Sequence, residues 1–454
     1  MHVMFHRYGQ FAGGIDLPDE NASTIDQPIG MVDSVATLRV PLAPCGTAGA
    51  SPVVDVGTNV QCGERLAAAP GPGGVDIFAP AAGRVAALTT AVVRHGRDLL
   101  ACPAIELTDI HGGCGMGSAR EVRDWRTVSS NTIRQQLAEG QIATSRPRPE
   151  PLIRWVQRAV ATACQDLIVN AMENQPYITA DHRLLVEYGP QVMQGLAILA
   201  LACEARQVFL AVDARRTRDY ASLVEPAIQY SVNRVALPHK YPIGADPILI
   251  KVLTRREVPL GGRPTDIGAA VIDASTCLAA YRWVACGQRL TGRVVTVNGD
   301  GVARPGNVFV PFGTSCHDLL GETDAPCVLG GPMTGRQVDG DAVVSPACES
   351  VLAVTPTPHA PPSQCIRCGW CRDHCPVRLN VAMLNDMYEL GDVAQAEHLG
   401  VTACVGCGVC SYVCPARLPL TDRVRRLAGT VRHHRRSMPL LSDMAPSPAA
   451  EADR

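Results

Sequence analysis

Eight cysteines near the C-terminus fall into two copies of one pattern, and no other feature constrains the chain as tightly. The first copy is Cys365, Cys368, Cys371 and Cys375 followed by Pro376; the second is Cys404, Cys407, Cys410 and Cys414 followed by Pro415. Both read C-x2-C-x2-C-x3-C-P. A thiolate at every third residue lets one tight loop wrap three corners of an iron–sulfur cubane, while the fourth cysteine, held away by the proline, serves the other cluster. The spacing therefore predicts two 4Fe-4S clusters. On this crossed ligation Cys365, Cys368, Cys371 and Cys414 would hold one, and Cys404, Cys407, Cys410 and Cys375 the other.

Paired C-x2-C steps also build structural zinc sites. Zinc takes four ligands and gives no reason for a third C-x2 step or for the proline behind both copies. A disulfide framework fits less well still, because Met1 to Gln10 lacks an apolar core of signal-peptide type and nothing points to an oxidising compartment. The expected setting is reducing and cytosolic. Of the other cysteines, Cys164, Cys203, Cys277 and Cys286 lie on apolar helical faces as small hydrophobes. Cys45, Cys62, Cys102, Cys114, Cys316, Cys327 and Cys348 show no ligand spacing.

A length of 454 residues with 46% hydrophobic residues suggests two to four domains with ordinary cores. The net charge of -2 gives no general attraction to nucleic acid, and Lys240 and Lys251 are the only lysines. No G-x4-G-K-[ST] loop is present, so a Walker-type nucleotide site is not supported. The longest apolar stretch, around Leu196 to Cys203, is broken by Glu204 and Arg206, short of the roughly 20 residues a spanning helix needs. No bilayer crossing is expected. The basic segment Arg423 to Arg436 reads as a solvated helix end or a membrane contact, and the tail from Ser437 reads as disordered.

From about Leu38 to Leu107, apolar and polar residues alternate between Gly/Pro turns, which predicts a small all-β module. Val53 to Gly57 with the later Ala79-Pro80-Ala81-Ala82-Gly83-Arg84-Val85 resembles the barrel-sandwich hybrid of lipoyl and biotinyl domains. No lysine precedes Lys240, so the module is not a swinging arm. The Gly-rich stretch His111 to Ser118 reads as an exposed connector with no clear strand before it. Beyond it, helical periodicity over Leu152 to Cys164 and Arg183 to Cys203 alternates with the strands Asp166 to Asn170 and Val208 to Val212, arguing for an α/β layer. Strands Arg293 to Val297 and Val308 to Pro311, with the Asn298-Gly299 turn signal and a helix at His317 to Leu320, predict a compact β-rich insert. Val381, Leu384, Met387 and Leu390 predict a helix between the two cysteine runs.

Over nearly its whole length the chain resembles RnfC, a peripheral component of the Rnf electron transport complex, with the cobalamin reductase of propanediol utilisation as a related form. The resemblance is carried by Gly13-Gly14-Ile15, Asn170 with Glu173, Pro176, Tyr177, Thr179 and Asp181, Tyr241 to Gly244, and Arg255 to Pro259. It continues through Arg293 to Gly299, Gly313-Thr314, Gly330 to Gly335 and both cysteine runs with Ile366-Arg367 and Ser411-Tyr412-Val413. It implies a multidomain α/β plus α+β protein: a barrel-sandwich hybrid (1–120), a flavin/NADH-type α/β domain similar to the flavoprotein of respiratory complex I (121–290), a β-grasp insert of the soluble-ligand-binding type (SLBB-like, 291–355) and a helical dicluster ferredoxin domain (361–428), with a disordered tail (437–454).

It also implies an oxidoreductase component at the inner face of the plasma membrane, held there by membrane subunits of an Rnf-type complex and exchanging electrons with a redox donor or acceptor protein. Asn170, Glu173, Tyr177, Thr179 and Asp181 would contact FMN and NADH.

The match departs at one place. Where the family has G-G-A-G-F-P-T, whose glycines let backbone N–H groups approach phosphates, this chain has Glu139-Gly140-Gln141-Ile142-Ala143-Thr144-Ser145-Arg146-Pro147-Arg148-Pro149. The family's E-C-E-P-Y reads Glu173-Asn174-Gln175-Pro176-Tyr177, an amide replacing the second carboxylate. Arg146 and Arg148 could bind phosphate in another geometry. These changes put direct NADH and FMN use in question, and the expected role is an RnfC-like iron–sulfur subunit passing electrons through two clusters. A complete FMN-dependent NADH dehydrogenase or cobalamin-reductase-like enzyme, and a docking or assembly subunit with structural clusters, are the alternatives. No Ser/His/Asp set is found; His239, His317, His374 and His433-His434 are scattered, and no catalytic residue is assigned.

Overall fold

The computed structural model describes residues 6–7, 11–32, 35–46, 49–71, 74–113, 115–116, 121–173, 175–356 and 360–437. The chain divides into two compact units, Met1–His359 and Ala360–Arg454.

In the first unit, a five-stranded sheet runs in the order His6–Arg7, Asn233–Leu237, Gln207–Asp213, Asp166–Ala171, Ala269–Asp273, and every pairing is parallel. Leu167, Ile168 and Val169 are all fully buried. Consecutive buried residues, rather than alternating ones, mean that both faces of the sheet are covered. Helices Leu152–Ala161, Ala180–Cys203 and Ala274–Val284 cover one of these faces, packing on Leu167, Val169, Leu210 and Val212. Asp273 caps the last of these by accepting the Thr276 N–H at 2.7 Å.

The helix Ala180–Cys203 begins earlier than the periodicity indicated and bends at Tyr188, two residues before Pro190. By length and composition it is long and apolar enough to cross a bilayer, with a mean hydropathy of 1.3, which the sequence pattern did not anticipate. Its place in the fold is that of a core helix: Leu184, Leu185, Met193, Leu196 and Leu199 are buried in the main apolar cluster of the sheet layer. At Gly195 it packs so closely on the helix Ala274–Val284 that a Cβ would lie 1.8 Å from the Cys277 carbonyl oxygen. Any larger residue there would force the two helices apart.

The β module contains the long hairpin Ala81–His95 and Asp98–Gly113, flanked by Leu38–Pro41 and Asn59–Val60, and a second small sheet of Ser51–Pro52, Arg65–Ala68 and Ile77–Phe78. The Gly-rich stretch His111 to Ser118 starts inside the strand Asp98–Gly113, so the expectation of a connector without a preceding strand is corrected. Backbone pairing along the hairpin takes in His111 and Gly113. Cys62, which shows no ligand spacing, is disulfide-bonded, and its partner is outside the described residues.

The insert forms a sheet ordered Arg336–Val338, Cys327–Leu329, Ser350–Ala353, Gly292–Asn298, Gly306–Pro311, Gly30–Met31. Its first and last strands, Gly292–Asn298 and Ser350–Ala353, lie side by side and parallel, while the hairpin partner Gly306–Pro311 is antiparallel. With the helix Cys316–Leu320 between the hairpin and the remaining strands, this is the β-grasp order. Thr179 locks the insert to the α/β layer: its N–H donates to Thr296 Oγ1 at 3.0 Å and its hydroxyl donates to Asn307 Oδ1 at 3.0 Å, all buried.

The second unit is helical. Short turns of helix follow each cysteine loop, Trp370–Asp373 and Val409–Tyr412, and longer helices Val381–Leu390, Val393–His398 and Leu420–Ser437 pack around them through Leu384, Ala396, Val424, Leu427 and Val431. The helix Leu420–Ser437 occupies the basic segment. The tail expected to be disordered begins at its last residue, and 438–454 lie outside the described residues.

Candidate metal centre

The two cysteine loops share one backbone path. Gly369 and Gly408, each following the second cysteine of its run, have φ of +83° and +89°. Arg367 and Gly406, each preceding that cysteine, have φ of +56° and +67°, and Arg378 and Arg417, three residues past the fourth cysteine, both have +56°. Left-handed residues at matched positions curl each run tightly enough for its first three thiols to face inward.

Each loop then meets the other's fourth cysteine. Cys375, Cys404, Cys407 and Cys410 line one small cavity together with Val377, Leu379, Val381, Val409 and Val424. Burial pushes the Cys410 thiol up to about 12, opposed by a hydrogen bond from Thr421 and reinforced by the neighbouring Cys404, Cys407 and Cys375. Around Cys371, burial again raises the thiol, and the charges that add to it come from Cys368, Cys365 and Cys414. The fold thus brings Cys375 to the second loop and Cys414 to the first.

The donor set suits a soft, polynuclear cation. A thiol raised as far as that of Cys410 is uncharged at neutral pH in an apolar wall, and iron bound beside it would draw off the proton and supply the missing positive charge. Among the described residues, no three His, Cys, Asp or Glu side chains are grouped as a single metal ion requires; the second set instead rings a void. Polar groups also reach the sulfurs. The Gly406 N–H donates to Cys404 Sγ at 3.3 Å, and Thr421 Oγ1 lies 3.3 Å from Cys410 Sγ while accepting from Ser411 Oγ at 2.9 Å. The sequence analysis missed Thr421 and Ser411, and no spacing rule would have found them.

The residues expected at a flavin site occupy a different setting. Glu173 accepts the N–H groups of Asp181 and His182 at 2.7 and 2.8 Å, so it caps the helix Ala180–Cys203. Burial pushes both carboxyls, Glu173 and Asp181, upward, and Asp181 Oδ1 is buried without a hydrogen-bond partner among the described residues. Asn170 donates to the Gly244 carbonyl at 2.8 Å. Tyr177, with φ of +72°, offers its carbonyl to Asn298 Nδ2 at 3.0 Å. Thr179 is spent on the β-grasp insert, as described above. Gln175, at the family's second carboxylate, accepts the Met333 N–H at 3.2 Å and donates to Thr334 Oγ1 at 3.0 Å, clasping the Gly330 to Gly335 turn.

The loop ahead of this strand is not a phosphate cradle. The Thr144 N–H is bonded to the Glu150 carbonyl at 2.9 Å, the Ser145 N–H to Thr276 Oγ1 at 2.8 Å and the Glu150 N–H to Thr144 Oγ1 at 3.1 Å, while Pro147 and Pro149 have none. Arg146, a candidate phosphate ligand in the sequence analysis, is bonded to the Val271 carbonyl and paired with Asp246. The residues present do not fit a flavin phosphate approached through backbone N–H groups. His239, one of the scattered histidines, bridges Asp213 at 2.8 Å and Asp19 at 3.1 Å.

A parallel α/β layer, a barrel-sandwich module, a β-grasp insert and a cysteine-lined helical unit together define the flavoprotein-type class of electron-transfer subunits, here with an altered flavin loop. The family model for the RnfC barrel sandwich hybrid domain matches residues 9–109, the Nuo51 FMN-binding domain 152–282, beginning after that loop, and the 4Fe-4S dicluster domain 358–426. The C component of the ion-translocating oxidoreductase complex of Rhodobacter capsulatus is 32% identical over 413 residues, covering 88% of this chain and 79% of its own length. The C component of the proton-translocating ferredoxin:NAD(+) oxidoreductase complex of Clostridium ljungdahlii is 28% identical over 396 residues, covering 84% and 85%. Among solved structures, an NAD+-reducing NiFe hydrogenase is similar at 18% identity and a TM-score of 0.43, over 67% of this chain and 54% of that one, a likeness too distant to bear on function. The chain belongs to the RnfC family, whose members are the C components of ion-translocating oxidoreductase complexes.

Proposed function

We propose that this chain is the iron–sulfur subunit of an ion-translocating electron transport complex, with Cys365, Cys368, Cys371 and Cys414 holding one 4Fe-4S cluster and Cys404, Cys407, Cys410 and Cys375 the other. The observation that carries the reading is the cavity in which Cys375 joins Cys404, Cys407 and Cys410 across 29 residues of sequence. Each cluster supplies a site that gains and loses one electron without proton transfer. The chain's own part is to hold the sulfurs and exclude water. Valines 377, 381, 409 and 424 wall the second site, and the Gly406 N–H and Thr421 hydroxyl set the polarity at its sulfurs. Membrane subunits of the complex would hold the chain peripherally at the inner face of the plasma membrane.

A second reading, an FMN-dependent NADH dehydrogenase using Asn170, Glu173, Tyr177, Thr179 and Asp181, is favoured by the match to the Nuo51 FMN-binding domain. The closed loop at Thr144 to Glu150 weighs against it. Anaerobic purification separates the two. The expected result is about eight irons per chain, a broad visible absorbance bleached by dithionite, no stoichiometric yellow flavin, and no bleaching by NADH alone. Bound FMN with NADH-driven bleaching would establish the second reading, and about four irons or fewer, or tightly held zinc, would remove the first.

A further inference from the structure

The two cysteine loops follow the same path but face different surroundings. At five successive matched positions the first loop is the more open: Ile366, Arg367, Cys368 and Trp370 are exposed and Gly369 half-buried, whereas Val405 and Cys407 are half-buried and Gly406, Gly408 and Val409 buried. Cys368 alone among the eight cysteines is exposed. Ile366 and Trp370, on either side of it, are 66% and 53% exposed, while Val409, the counterpart of Trp370, is fully buried.

Leaving an indole and a branched aliphatic side chain largely in water beside a cluster ligand forgoes the burial that either would gain against apolar neighbours. Tryptophan with neighbouring arginine is the composition of side chains that dominate protein interfaces. Arg372 and Arg378, both exposed, lie on the same loop and turn. Exposed Arg417 is three residues past Cys414, the fourth member of the first set. Arg367 is paired with Asp386 at 2.7 Å and also feels Glu389, which Arg423 holds at 2.5 Å, and Asp373 is exposed on the loop. Five arginines against three acids leave the rim cationic, offsetting the charge of about -2 that four thiolates and their iron core would place at the centre.

We propose that this face, with Trp370 and Ile366 at its centre and Arg372, Arg378 and Arg417 at its rim, is where an acidic one-electron carrier protein docks on the chain, against the Cys368 edge of the first cysteine set. The inference rests on the electron-transfer reading above. The second loop, walled by Val409 and Val424, offers no such edge. The partner's matching surface is an apolar patch ringed by carboxylates, which steers encounter at low ionic strength and is screened by salt.

The test uses full-length, cluster-loaded protein and two redox-inert probes: zinc-substituted cytochrome b5, whose haem edge has an acidic rim, and zinc-substituted cytochrome c, whose rim is basic. Dissociation constants are measured by titration calorimetry across a salt series. The acidic probe should bind and weaken steadily with salt, and the basic probe should not bind. Trp370→Ala should weaken the acidic probe about tenfold and Arg372→Glu by a similar factor, while Ile228→Ala, an exposed apolar side chain of the first unit, should leave it unchanged. The docking face is overturned if Trp370→Ala and Arg372→Glu bind like the parent, if Ile228→Ala weakens binding as much, or if the basic probe binds equally well. Iron content and dithionite bleaching of the same preparations keep the two ideas apart. Loaded, reducible protein with indifferent variants removes the docking face alone; protein without reducible clusters removes the relay and this face with it.

Discussion

The first cysteine loop and the second are the same turn in two environments. Their left-handed positions coincide residue for residue, at Arg367 and Gly406, Gly369 and Gly408, and Arg378 and Arg417, yet one loop carries exposed Trp370 and Cys368 and the other buried Val409 and half-buried Cys407. Ligand spacing fixes the path of the backbone, because three thiols can face a common centre in few ways. Exposure is fixed by what packs outside the loop, and that is where the two sites acquire different roles.

The sharpest way to break the comparison is to exchange ligands. Cys375→Ser lies in the first run but should empty the second site, and Cys414→Ser the reverse. Each variant should keep about four of eight irons, and the electron paramagnetic resonance signal that survives should differ between them. If Cys375→Ser and Cys365→Ser leave the same residual signal, ligation is not crossed. The expectation follows from Cys375 lining the cavity with Cys404, Cys407 and Cys410 and from the charge of Cys414 acting on Cys371.

A smaller effect is expected at Thr421. Its hydroxyl touches Cys410 Sγ at 3.3 Å and accepts from Ser411 Oγ at 2.9 Å, and the first loop has no matching threonine, since its partner helix begins at Val381. Thr421→Val keeps the shape and removes these bonds, leaving the Ser411 hydroxyl without its acceptor while its oxygen still accepts the backbone N–H of residue 421. The cost should be about 1–2 kcal/mol of stability, with the potential of the second cluster lowered and that of the first unmoved in a redox titration. Equal shifts in both clusters would show that the sites are electrostatically one.

Much of this organisation was legible in the residues. The cysteine spacing marked two equivalent loops, and helical periodicity alternating with strands such as Asp166 to Asn170 marked the α/β layer. The helix start at Ala180 was not legible, because Pro190 and the bend at Tyr188 interrupt the periodicity that tertiary packing restores. Nor was the role of Glu173, which reads as a cofactor ligand in a motif but caps a helix here; a carboxylate serves either purpose, and only the positions of the Asp181 and His182 N–H groups decide. The contrast between Trp370 and Val409 was equally hidden. Both are apolar residues at one position of a repeat, and exposure depends on elements far away in sequence.

The finest test concerns the residue before the second cysteine of each run. Both positions are left-handed, at φ of +56° for Arg367 and +67° for Gly406, a conformation that glycine tolerates and other L-residues resist. Gly406 is buried and its N–H donates to Cys404 Sγ, so Gly406→Ala should lower the melting temperature of the loaded protein by about 4–8 °C. Arg367→Gly relieves backbone strain but frees the unfolded chain and gives up an exposed ion pair with Asp386, three terms of opposing sign and similar size. Its net shift should stay within about 2 °C. A large loss on Arg367→Gly would mean that this guanidinium helps to hold the first site together, in which case the exposed loop is braced by its own arginine where the buried loop is braced by packing.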